Sequence, residues 1–242
     1  MNSDITKIKK DLKQIKSKSE LKNIKSKFIL QKIFSHFQKR KALEIITYNK
    51  YMQHRMNINV DNYKEYSEIY SLIEIRIKPV NNKYGKFINI NDKNKIYFHI
   101  YFNNNKEEIK RNYLNKNEEI KIIKIIIDYQ AISFKNLFHK SKCIESINFK
   151  KFYRNNITNM SFMFYGCSFL KEINFSKFKS DNITNMSGMF SWCLSLEELN
   201  LSNFNANNLI NMYGMFSECS DKLKKKIKTK YKNIKEEAFY NA

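Results

Sequence analysis

The chain has 242 residues, enough for one or two domains, and its 42% hydrophobic and 14% aromatic content can supply a sizeable core. Its formal net charge of +22 would by itself suggest nucleic acid or an anionic surface as partner. Only five of the 45 basic residues are arginine, however, and the abundance of Lys, Asn, Ile and Tyr is what AT-rich coding produces. Because arginine is the better ligand for phosphates and bases, we expect no more than weak, non-specific nucleic-acid binding.

The N-terminus carries no recognisable targeting segment. Residues 1–10 are polar and lack an apolar stretch of signal-peptide length. No part of the chain approaches the ~18 consecutive apolar residues of a membrane span. The longest apolar candidate, 120–127, is interrupted by Lys121 and Lys124. The sequence therefore predicts an intracellular, cytoplasmic protein with no membrane span.

Residues 1–70 are predicted to form a helical N-terminal region. Apolar residues recur at helical spacing over 1–19, 26–40 and 41–55, and a further helix is indicated over 61–70. We interpret the first of these stripes as a loosely docked helix. A coiled-coil dimer is the alternative, so the oligomeric state stays open.

Residues 71–131 are predicted to be rich in β-structure. Isoleucine alternates with charged residues over 73–77, which is strand periodicity, and Pro79 ends the pattern. A second strand is indicated over 96–102. A buried strand is indicated over 122–127, roughly one repeat length before the first strand of the repeats that follow. The region either caps those repeats and supplies their lead strand or forms an independent domain.

Residues 132–220 contain a repeated segment. The sequence at 157–167 returns in similar form at 183–193 and again at 209–219, so that equivalent cysteines lie 26 residues apart. An earlier and more divergent copy ends at Ser141. A fixed period of this size is typical of repeat proteins in which each unit buries its apolar face against its neighbours.

Each repeat is predicted to hold a strand and a short helix. Residues 172–176 alternate polar and apolar side chains, as a strand does. Met186, Met189 and Phe190 are three and four residues apart, as on one side of a helix. The predicted fold class is α+β: a helical N-terminal segment, a small β-rich region, and a short solenoid with one parallel strand and one short helix per 26-residue repeat, followed by a capping helix.

The C-terminal residues 221–242 are predicted to form that capping helix. Leu223, Ile227, Tyr231 and Ile234 lie on one helical side, and lysines occupy much of the remaining surface. Such a helix presents an apolar side to the last repeat and a charged side to water. We therefore interpret the lysines as solvated surface, with an anion-binding site as the alternative.

The repeat resembles a known family. Its pattern, Leu-x-x-Leu-x-Leu followed by Asn-x-x-Asn-Met-Ser-x-Met-Phe-x-x-Cys, is similar to the BspA-type leucine-rich repeat over about residues 132–220. That family occurs in bacterial and protist proteins, many of them surface-exposed. The resemblance implies a solenoid that binds proteins, often as an adhesin, although this chain lacks the secretion signal that an adhesin needs.

The residue types that usually carry chemistry are scattered. No two of the four cysteines have the Cys-x-x-Cys spacing of a zinc site, and the interval between Cys167, Cys193 and Cys219 follows the repeat. We interpret these three as buried free thiols, with disulfide pairing between adjacent repeats as the alternative. The four histidines occur in unrelated segments, and no glycine-rich phosphate loop is present. The sequence predicts no catalytic, metal or cofactor site and no enzyme.

The predicted binding surface is the outward side of the repeat strands. If Ile173 and Phe175 point into the core, their neighbours point outward, and stacking at the repeat period aligns them in three rows. The outward residues, which we predict to form the concave partner-binding surface, are Ser146, Asn148, Glu172, Asn174, Ser176, Glu198, Asn200 and Ser202. This surface is mildly acidic and rich in amides, which favours a protein partner over nucleic acid.

The leading hypothesis is a non-catalytic protein–protein interaction module that uses this surface. A substrate adaptor of a ubiquitin ligase is the first alternative, because residues 26–56 loosely resemble an F-box and F-boxes often precede leucine-rich repeats. A basic binder of nucleic acid or anionic membrane and a surface adhesin are lesser alternatives.

Overall fold

The computed structural model describes residues 50–56, 71–128, 131–152, 157–175, 182–201 and 209–241. Its contacts divide the chain into two compact units, residues 1–70 and residues 71–242. In the first unit the described residues form one α-helix, α1, Lys50–Met56. The helices predicted before residue 50 and over 61–70 lie outside the described residues, as does the part of the F-box-like segment that precedes α1. The boundaries predicted at residues 131 and 220, inside the second unit, stay predictions.

Strands dominate the second unit. They are β1 Ile73–Pro79, β2 Gly85–Lys86, β3 Phe98–Phe102, β4 Tyr113–Leu114, β5 Ile123–Ile127, β6 Ile144–Lys151, β7 Glu172–Asn174 and β8 Glu198–Leu199. Six of them form one sheet in the order β3-β5-β1-β6-β7-β8, while β2 and β4 form a separate antiparallel pair. The described helical elements of this unit are α2, Asp221–Lys230, and two 3-10 turns, Lys95–Tyr97 and Glu236–Phe239.

The six-stranded sheet is mixed. Strand β1 lies antiparallel to both β5 and β6, and β3 lies antiparallel to β5, whereas β6, β7 and β8 are parallel to one another. The register lines up one apolar residue from each of five neighbouring strands, in the order β5, β1, β6, β7 and β8. This row consists of Ile123, Ile77, Ile147, Ile173 and Leu199, and all five are buried. One side of the sheet is therefore a continuous wall of the core.

The prediction of an α+β fold with a leucine-rich-repeat solenoid is wrong. The described residues form no solenoid: β6, β7 and β8 instead extend a mixed sheet that begins with the antiparallel strands β3, β5 and β1. The segment 122–127 is also not the lead strand of the repeats, because β1 lies between β5 and β6. The concave solenoid surface named above is thus one side of a mixed sheet.

The short helix predicted in each repeat is a series of turns instead, as over 160–167. Backbone conformation gives the reason. Each segment contains two residues with positive φ, at Phe162 and Gly166 in one repeat and at Gly188 and Trp192 in the next. A left-handed residue cannot continue a right-handed helix. The three- and four-residue spacing of methionine and phenylalanine therefore reflects consecutive turns.

Consecutive turn segments stack on one another through backbone hydrogen bonds. The amide of Phe164 donates to the carbonyl of Met189 at 2.9 Å, and the amide of Phe190 donates to the carbonyl of Met215 at the same distance. Equivalent bonds join the first turn segment, residues 134–140, to the second. We call this set of bonds the ladder. It satisfies backbone groups that would otherwise be buried without partners.

The Asn-Met-Ser motif shapes the start of the two middle turn segments. The Asn159 side-chain oxygen accepts from the amide of Ser161 at 2.9 Å and from its hydroxyl at 2.8 Å. Asn185 holds Ser187 in the same way, at 3.0 and 2.9 Å. An asparagine that bonds the backbone two residues further on forms an Asx turn. The motif therefore sets the local turn, and the ladder sets its place.

A column of phenylalanine rings fills the core along the ladder. Phe138, Phe164, Phe190 and Phe216 are fully buried and stack in order, with centroids 5.4, 5.6 and 5.6 Å apart and planes within 12° of parallel. Phe239 continues the column at 5.5 Å from Phe216. Each ring thus buries its surface against the rings of the neighbouring turns.

Asn89 closes the ladder at its first turn. Its amide donates to the carbonyl of Leu137 at 2.7 Å. Its side-chain amide donates to the carbonyls of Asn136 at 3.2 Å and His139 at 2.8 Å. These three carbonyls belong to the first turn segment, so no earlier turn segment can donate to them. Asn89, from the β-rich region, supplies all three hydrogen bonds instead. Leaving a buried carbonyl unpaired would cost on the order of 1–3 kcal/mol.

The C-terminal 3-10 turn closes the other end. The amides of Gly214 and Phe216 donate to the carbonyls of Glu237 and Ala238, at 2.8 and 2.7 Å. Helix α2 covers only residues 221–230 of the capping helix predicted over 221–242, and the segment after it supplies the last step of the ladder. None of the helices that the structure describes is long and apolar enough to cross a membrane.

Replacing Phe190 by alanine should remove the middle of the phenylalanine column. The ring is fully buried between two parallel rings, and deletion of a buried phenylalanine costs about 3–5 kcal/mol of unfolding free energy. Urea unfolding followed by circular dichroism measures the loss. Leu194→Ala removes a side chain that is 54% exposed and should change the unfolding free energy by less than about 0.5 kcal/mol. Equal losses in the two variants would show that the column does not carry stability.

Gly188 should tolerate alanine only when the ring of Phe162 is removed. Gly188 has φ +57°, and an added Cβ would lie 2.4 Å from Cε1 of Phe162. Gly188→Ala should therefore carry both left-handed strain, about 1–2 kcal/mol, and a steric clash. In a Phe162→Ala background only the strain remains, so the same step should cost about 1–2 kcal/mol. A double-mutant cycle in urea measures the difference, and identical costs in both backgrounds would contradict the steric explanation.

Candidate binding surface

Predicted outward residues of the repeat strands lie together on one side of the sheet. The register aligns Ser146 with Glu172 and Glu198. It also aligns Asn148 with Asn174. These side chains are exposed or half-buried, whereas the residues between them along each strand are buried. Two of the predicted rows therefore exist as neighbouring side chains.

The remaining predicted residues extend these rows only in part. Asn200 directly follows β8, is exposed, and lines the same groove as Asn174. Ser176 and Ser202 lie outside the described residues. The third predicted row, to which Ser176 and Ser202 belong, therefore stays a prediction.

The row of Asn148 continues into the antiparallel strands. Asn148 lies opposite Arg76, Arg76 lies opposite Lys124, and Lys124 lies opposite Tyr101. We call this side of the sheet the polar face, formed by Tyr101, Lys124, Arg76, Lys78, Ser146, Asn148, Glu172, Asn174 and Glu198. Sequence reasoning missed its first four members. Alternation in β1 indicates which of its side chains avoid the core, and in β5 the charge of Lys124 does so, but the pairing of β1 with β6 has no local signal.

The cations of the antiparallel strands already have partners. The Arg76 Nε lies 3.0 Å from a carboxylate oxygen of Glu74. The Lys124 Nζ lies 4.4 Å from the centroid of the Tyr101 ring, a cation–π distance. Lys78 contacts Glu145 at 2.9 Å. Each of these three cations therefore already contacts a neighbouring side chain of the molecule.

Glu145 links the antiparallel strands of the sheet to its parallel strands. Its carboxylate accepts from Lys78 at 2.9 Å and from Lys171 at 3.2 Å, so β1 and the start of β7 are linked through one side chain. The hydrogen bond from Lys78, followed by that from Lys171, lowers the pKa of the Glu145 carboxyl. Surface pairs of this kind are worth at most about 1 kcal/mol, so the contact orders the surface more than it stabilises the fold.

Helix α2 borders the polar face at β8. Ser220 caps its N-terminus, where the hydroxyl oxygen accepts from the amide of Leu223 at 3.3 Å, and Asp221 lies in the first turn, where a negative charge is favourable. Leu223 and Ile227 are buried against the rest of the unit. Because these two apolar residues lie four positions apart and face the core, the opposite side of the helix faces outward.

Tyr231 ties the end of α2 to the residues after β8. Its hydroxyl accepts from the amide of Leu201 at 2.9 Å and lies 3.4 Å from the side-chain oxygen of Asn200. The Lys226 ammonium lies 3.5 Å from the carbonyl of Glu197. Side chains in and directly after the helix therefore bond one backbone group on each side of β8, at the edge of the sheet.

A groove of about 900 Å³ separates the polar face from α2. The sheet contributes four of the predicted surface residues, and the helix contributes four lysines. These residues are Glu172, Asn174, Glu198, Asn200, Lys222, Lys225, Lys226 and Lys230. Leu199 and Leu223 lie at its base. The sequence interpretation of a mildly acidic surface is incomplete here, because more lysines than glutamates line the groove.

His99 and His139 are not among the residues that line the groove. His99 lies between two carboxylates, with Nδ1 3.2 Å from Glu108 and Nε2 3.5 Å from Asp128. The carboxylates bind opposite ring nitrogens, an arrangement that cannot enclose one metal ion. His139 stacks on Tyr165 at 4.9 Å, and burial lowers its pKa. The part of the chain that the structure describes contains no cluster of His, Cys, Asp or Glu suited to a metal.

The four cysteines are free and buried. The thiols of the repeat donate to carbonyls of the preceding turn: Cys167 to Phe138 at 2.9 Å and Cys193 to Phe164 at 3.1 Å. Cys219 repeats the contact with Phe190 at 3.1 Å. These thiols are thus weak hydrogen-bond donors within the ladder, a role that goes beyond the predicted one of small apolar residues.

Burial makes the thiols poor nucleophiles. It raises the pKa of Cys143 to about 11 and the pKa of Cys167 and Cys219 to about 12. Burial also raises the pKa of Cys193 well above its ordinary value. Because the thiolate is the reactive form of cysteine, these residues are suited to a structural role rather than a catalytic one.

The contribution of Cys167 to stability should fall at alkaline pH. Its pKa rises from 9.0 to about 12 on folding, so the unfolded chain releases a proton that the folded chain keeps. The wild type should therefore lose its stability advantage over Cys167→Ala by about 1.4 kcal/mol per pH unit above pH 9 and keep it unchanged below. Urea unfolding of both proteins at several pH values measures this, and titration of Tyr and Lys cancels in the difference. A constant difference up to pH 11 would contradict the buried, neutral thiol.

Comparison with known proteins finds one family. The model of the family described as "Mycoplasma protein of unknown function, DUF285" matches residues 132–242. The match begins one residue before Ser133. Ser133 pairs with Asn159 in the first parallel bridge between consecutive turn segments. No curated protein matches the chain, and no solved structure matches it. The stacked turns and the C-terminal helix are thus the part of this chain that is similar to that family, while the BspA-type resemblance stays a sequence prediction.

Proposed function

We propose that the protein is a non-catalytic interaction module that binds an extended segment of a partner protein in the groove between the polar face and α2. The observation that carries the proposal is the convergence of predicted surface residues and helix lysines around one cavity of about 900 Å³. Pockets that bind small molecules commonly have volumes of about 300–1,000 Å³, so the groove is large enough for part of a peptide. The ten residues of α2 make the groove about 15 Å long, which suits about four or five residues of an extended chain.

The lining of the groove supports a polypeptide ligand. Asn174 and Asn200 can donate to and accept from a peptide backbone, and Thr229 adds a hydroxyl on the helix side. The methylene stems of the lysines and the little-exposed side chains of Leu199 and Tyr231 provide apolar contact. A surface with both apolar and hydrogen-bonding groups matches the mixed character of a polypeptide.

The chemistry of the described residues supports a non-catalytic role. Of the described side chains that line the groove, none is His, Cys or Asp. The thiols elsewhere are buried and their pKa values are raised, which removes them as nucleophiles near neutral pH. The groove also contains two glutamates, and the Lys226 ammonium lies 3.8 Å from a carboxylate oxygen of Glu198.

Filling the groove with a large side chain should abolish peptide binding. Short peptides selected from a random display library on the wild-type protein serve as probes. Thr229 is exposed and faces the groove, so Thr229→Trp should weaken binding of the selected peptides by at least about tenfold while leaving the fold intact. Fluorescence anisotropy with labelled peptides measures the affinity.

Lys232→Trp is the matched control, because Lys232 is exposed and does not line the groove. Its affinity for the same peptides should stay within about twofold of wild type, and both variants should unfold at the same urea concentration. Selection of no peptide, or equal binding by wild type and Thr229→Trp, would overturn the proposed function.

A further inference from the structure

The lysines of α2 that face the groove have a regular spacing. Lys222, Lys226 and Lys230 are each four residues apart and all three line the groove. Four residues of α-helix rise about 6 Å, so the three ammonium groups stand on one side of the helix at about 6 Å intervals. Lys225 adds a fourth charge beside the central one.

These lysines are weakly engaged within the molecule. Lys226 approaches Glu198 at 3.8 Å, and both side chains are largely exposed. Lys222 and Lys225 form no ion pair among the residues that the structure describes. By contrast Lys228, which does not line the groove, contacts Glu236 at 2.7 Å and the ring of Phe239 at 4.6 Å. Lys230 lies 5.3 Å from the centroid of the Tyr231 ring. The four lysines that line the groove therefore present largely unneutralised positive charge to it.

An extended peptide has a matching repeat. Alternate side chains of an extended chain point to the same side and are separated by about 6.6 Å. A segment that runs along α2 with a carboxylate at every second position would place successive carboxylates opposite Lys222, Lys226 and Lys230. Charge-assisted hydrogen bonds of this kind are about twice as strong as neutral ones.

The intervening side chains would meet different groups. They point to the opposite side of the segment, toward Glu172 and Glu198 of the sheet and the amides of Asn174 and Asn200. Neutral or basic side chains with hydrogen-bond donors suit these positions. A nucleic acid carries a negative charge on every nucleotide and would bring some of its phosphates against the two glutamates, which disfavours it.

Building on the proposed function, we propose that the groove recognises an extended partner segment in which acidic residues alternate with neutral or basic ones. The acidic side chains bind the lysine row of α2, and the others face the glutamates and amides of the polar face. Recognition is thus of both charge and spacing, since the same number of carboxylates at consecutive positions would point half of them away from the helix.

Peptides of about nine residues test both elements. The probes are a Glu-Thr alternating peptide, an isomer with its glutamates consecutive, and a Lys-Thr alternating peptide, each with the same fluorophore. At physiological salt the alternating acidic peptide should bind at least about tenfold tighter than the basic one and about threefold tighter than the isomer. Its affinity should fall as salt increases.

Matched lysine variants locate the binding. The triple variant Lys222→Gln, Lys226→Gln, Lys230→Gln should lose at least about tenfold in affinity for the alternating acidic peptide. The triple variant Lys224→Gln, Lys232→Gln, Lys235→Gln removes the same charge outside the groove and should stay within about threefold of wild type. Equal losses in the two triple variants would overturn the inference, because net charge rather than the lysine row would then drive binding.

Two further outcomes separate this inference from the proposed function. If neutral or basic peptides bind tighter than the acidic one and lose affinity in Thr229→Trp, the acidic specificity is wrong while the groove remains a peptide site. If no peptide of any charge responds to Thr229→Trp, both proposals fail. Tighter binding of a single-stranded oligothymidylate, with loss in the groove triple variant, would also overturn the inference by assigning the lysine row to nucleic acid.

Discussion

The backbone ladder between stacked turns is the interaction on which the rest of the molecule depends. Each turn presents amides to one neighbour and carbonyls to the other, so no single turn can be buried alone without unpaired polar groups. Stacking satisfies those groups and, in the same step, brings the ring of Phe164 over Phe190 and the thiol of Cys193 to the carbonyl of Phe164. Hydrogen bonding and apolar burial therefore reinforce each other at every repeat.

The ladder also holds the polar face in position. Strands β7 and β8 contain three and two residues, well below the usual strand length of about five or six. Such short strands gain little from their own pairing, and the stacked turns on either side fix where they lie. Glu172 and Glu198 consequently stand one strand spacing apart, about 4.8 Å. The groove is thus built on a sheet edge whose geometry is set elsewhere in the repeat.

Local patterns predicted the strands well and the turns poorly. The alternation of isoleucine over 73–77 matches β1, because burial on one side of a strand leaves a period of two. The isoleucine-rich run over 122–127 matches β5. The spacing of Met186, Met189 and Phe190 is shared by a helix and by consecutive turns. Only the sign of φ distinguishes them, and at Phe162 or Trp192 the residue type gives no indication of a left-handed backbone. The pairing of β1 with β6 joins distant segments, which no local pattern encodes.

Half of the candidate site followed from the same periodicity. The rows through Glu172 and Asn174 were predictable because equivalent residues of a repeat must lie side by side. The lysines of α2 were interpreted as solvated surface, since sequence cannot show that the helix faces the sheet edge. Their four-residue spacing at Lys222, Lys226 and Lys230 is the signal that could have set them apart from the other lysines.

The C-terminal closure has a consequence for how such a gene can change in length. Phe239 occupies the place that a further repeat would fill with its own phenylalanine, yet it belongs to no repeat. Asn89 closes the opposite end from outside the repeated segment as well. A tandem duplication of one whole 26-codon unit would therefore insert a turn whose donors, acceptors and ring meet the same kinds of neighbour as before. The polar face can therefore lengthen or shorten in whole repeats, whereas an insertion of another length inside a turn segment would interrupt the ladder at that repeat.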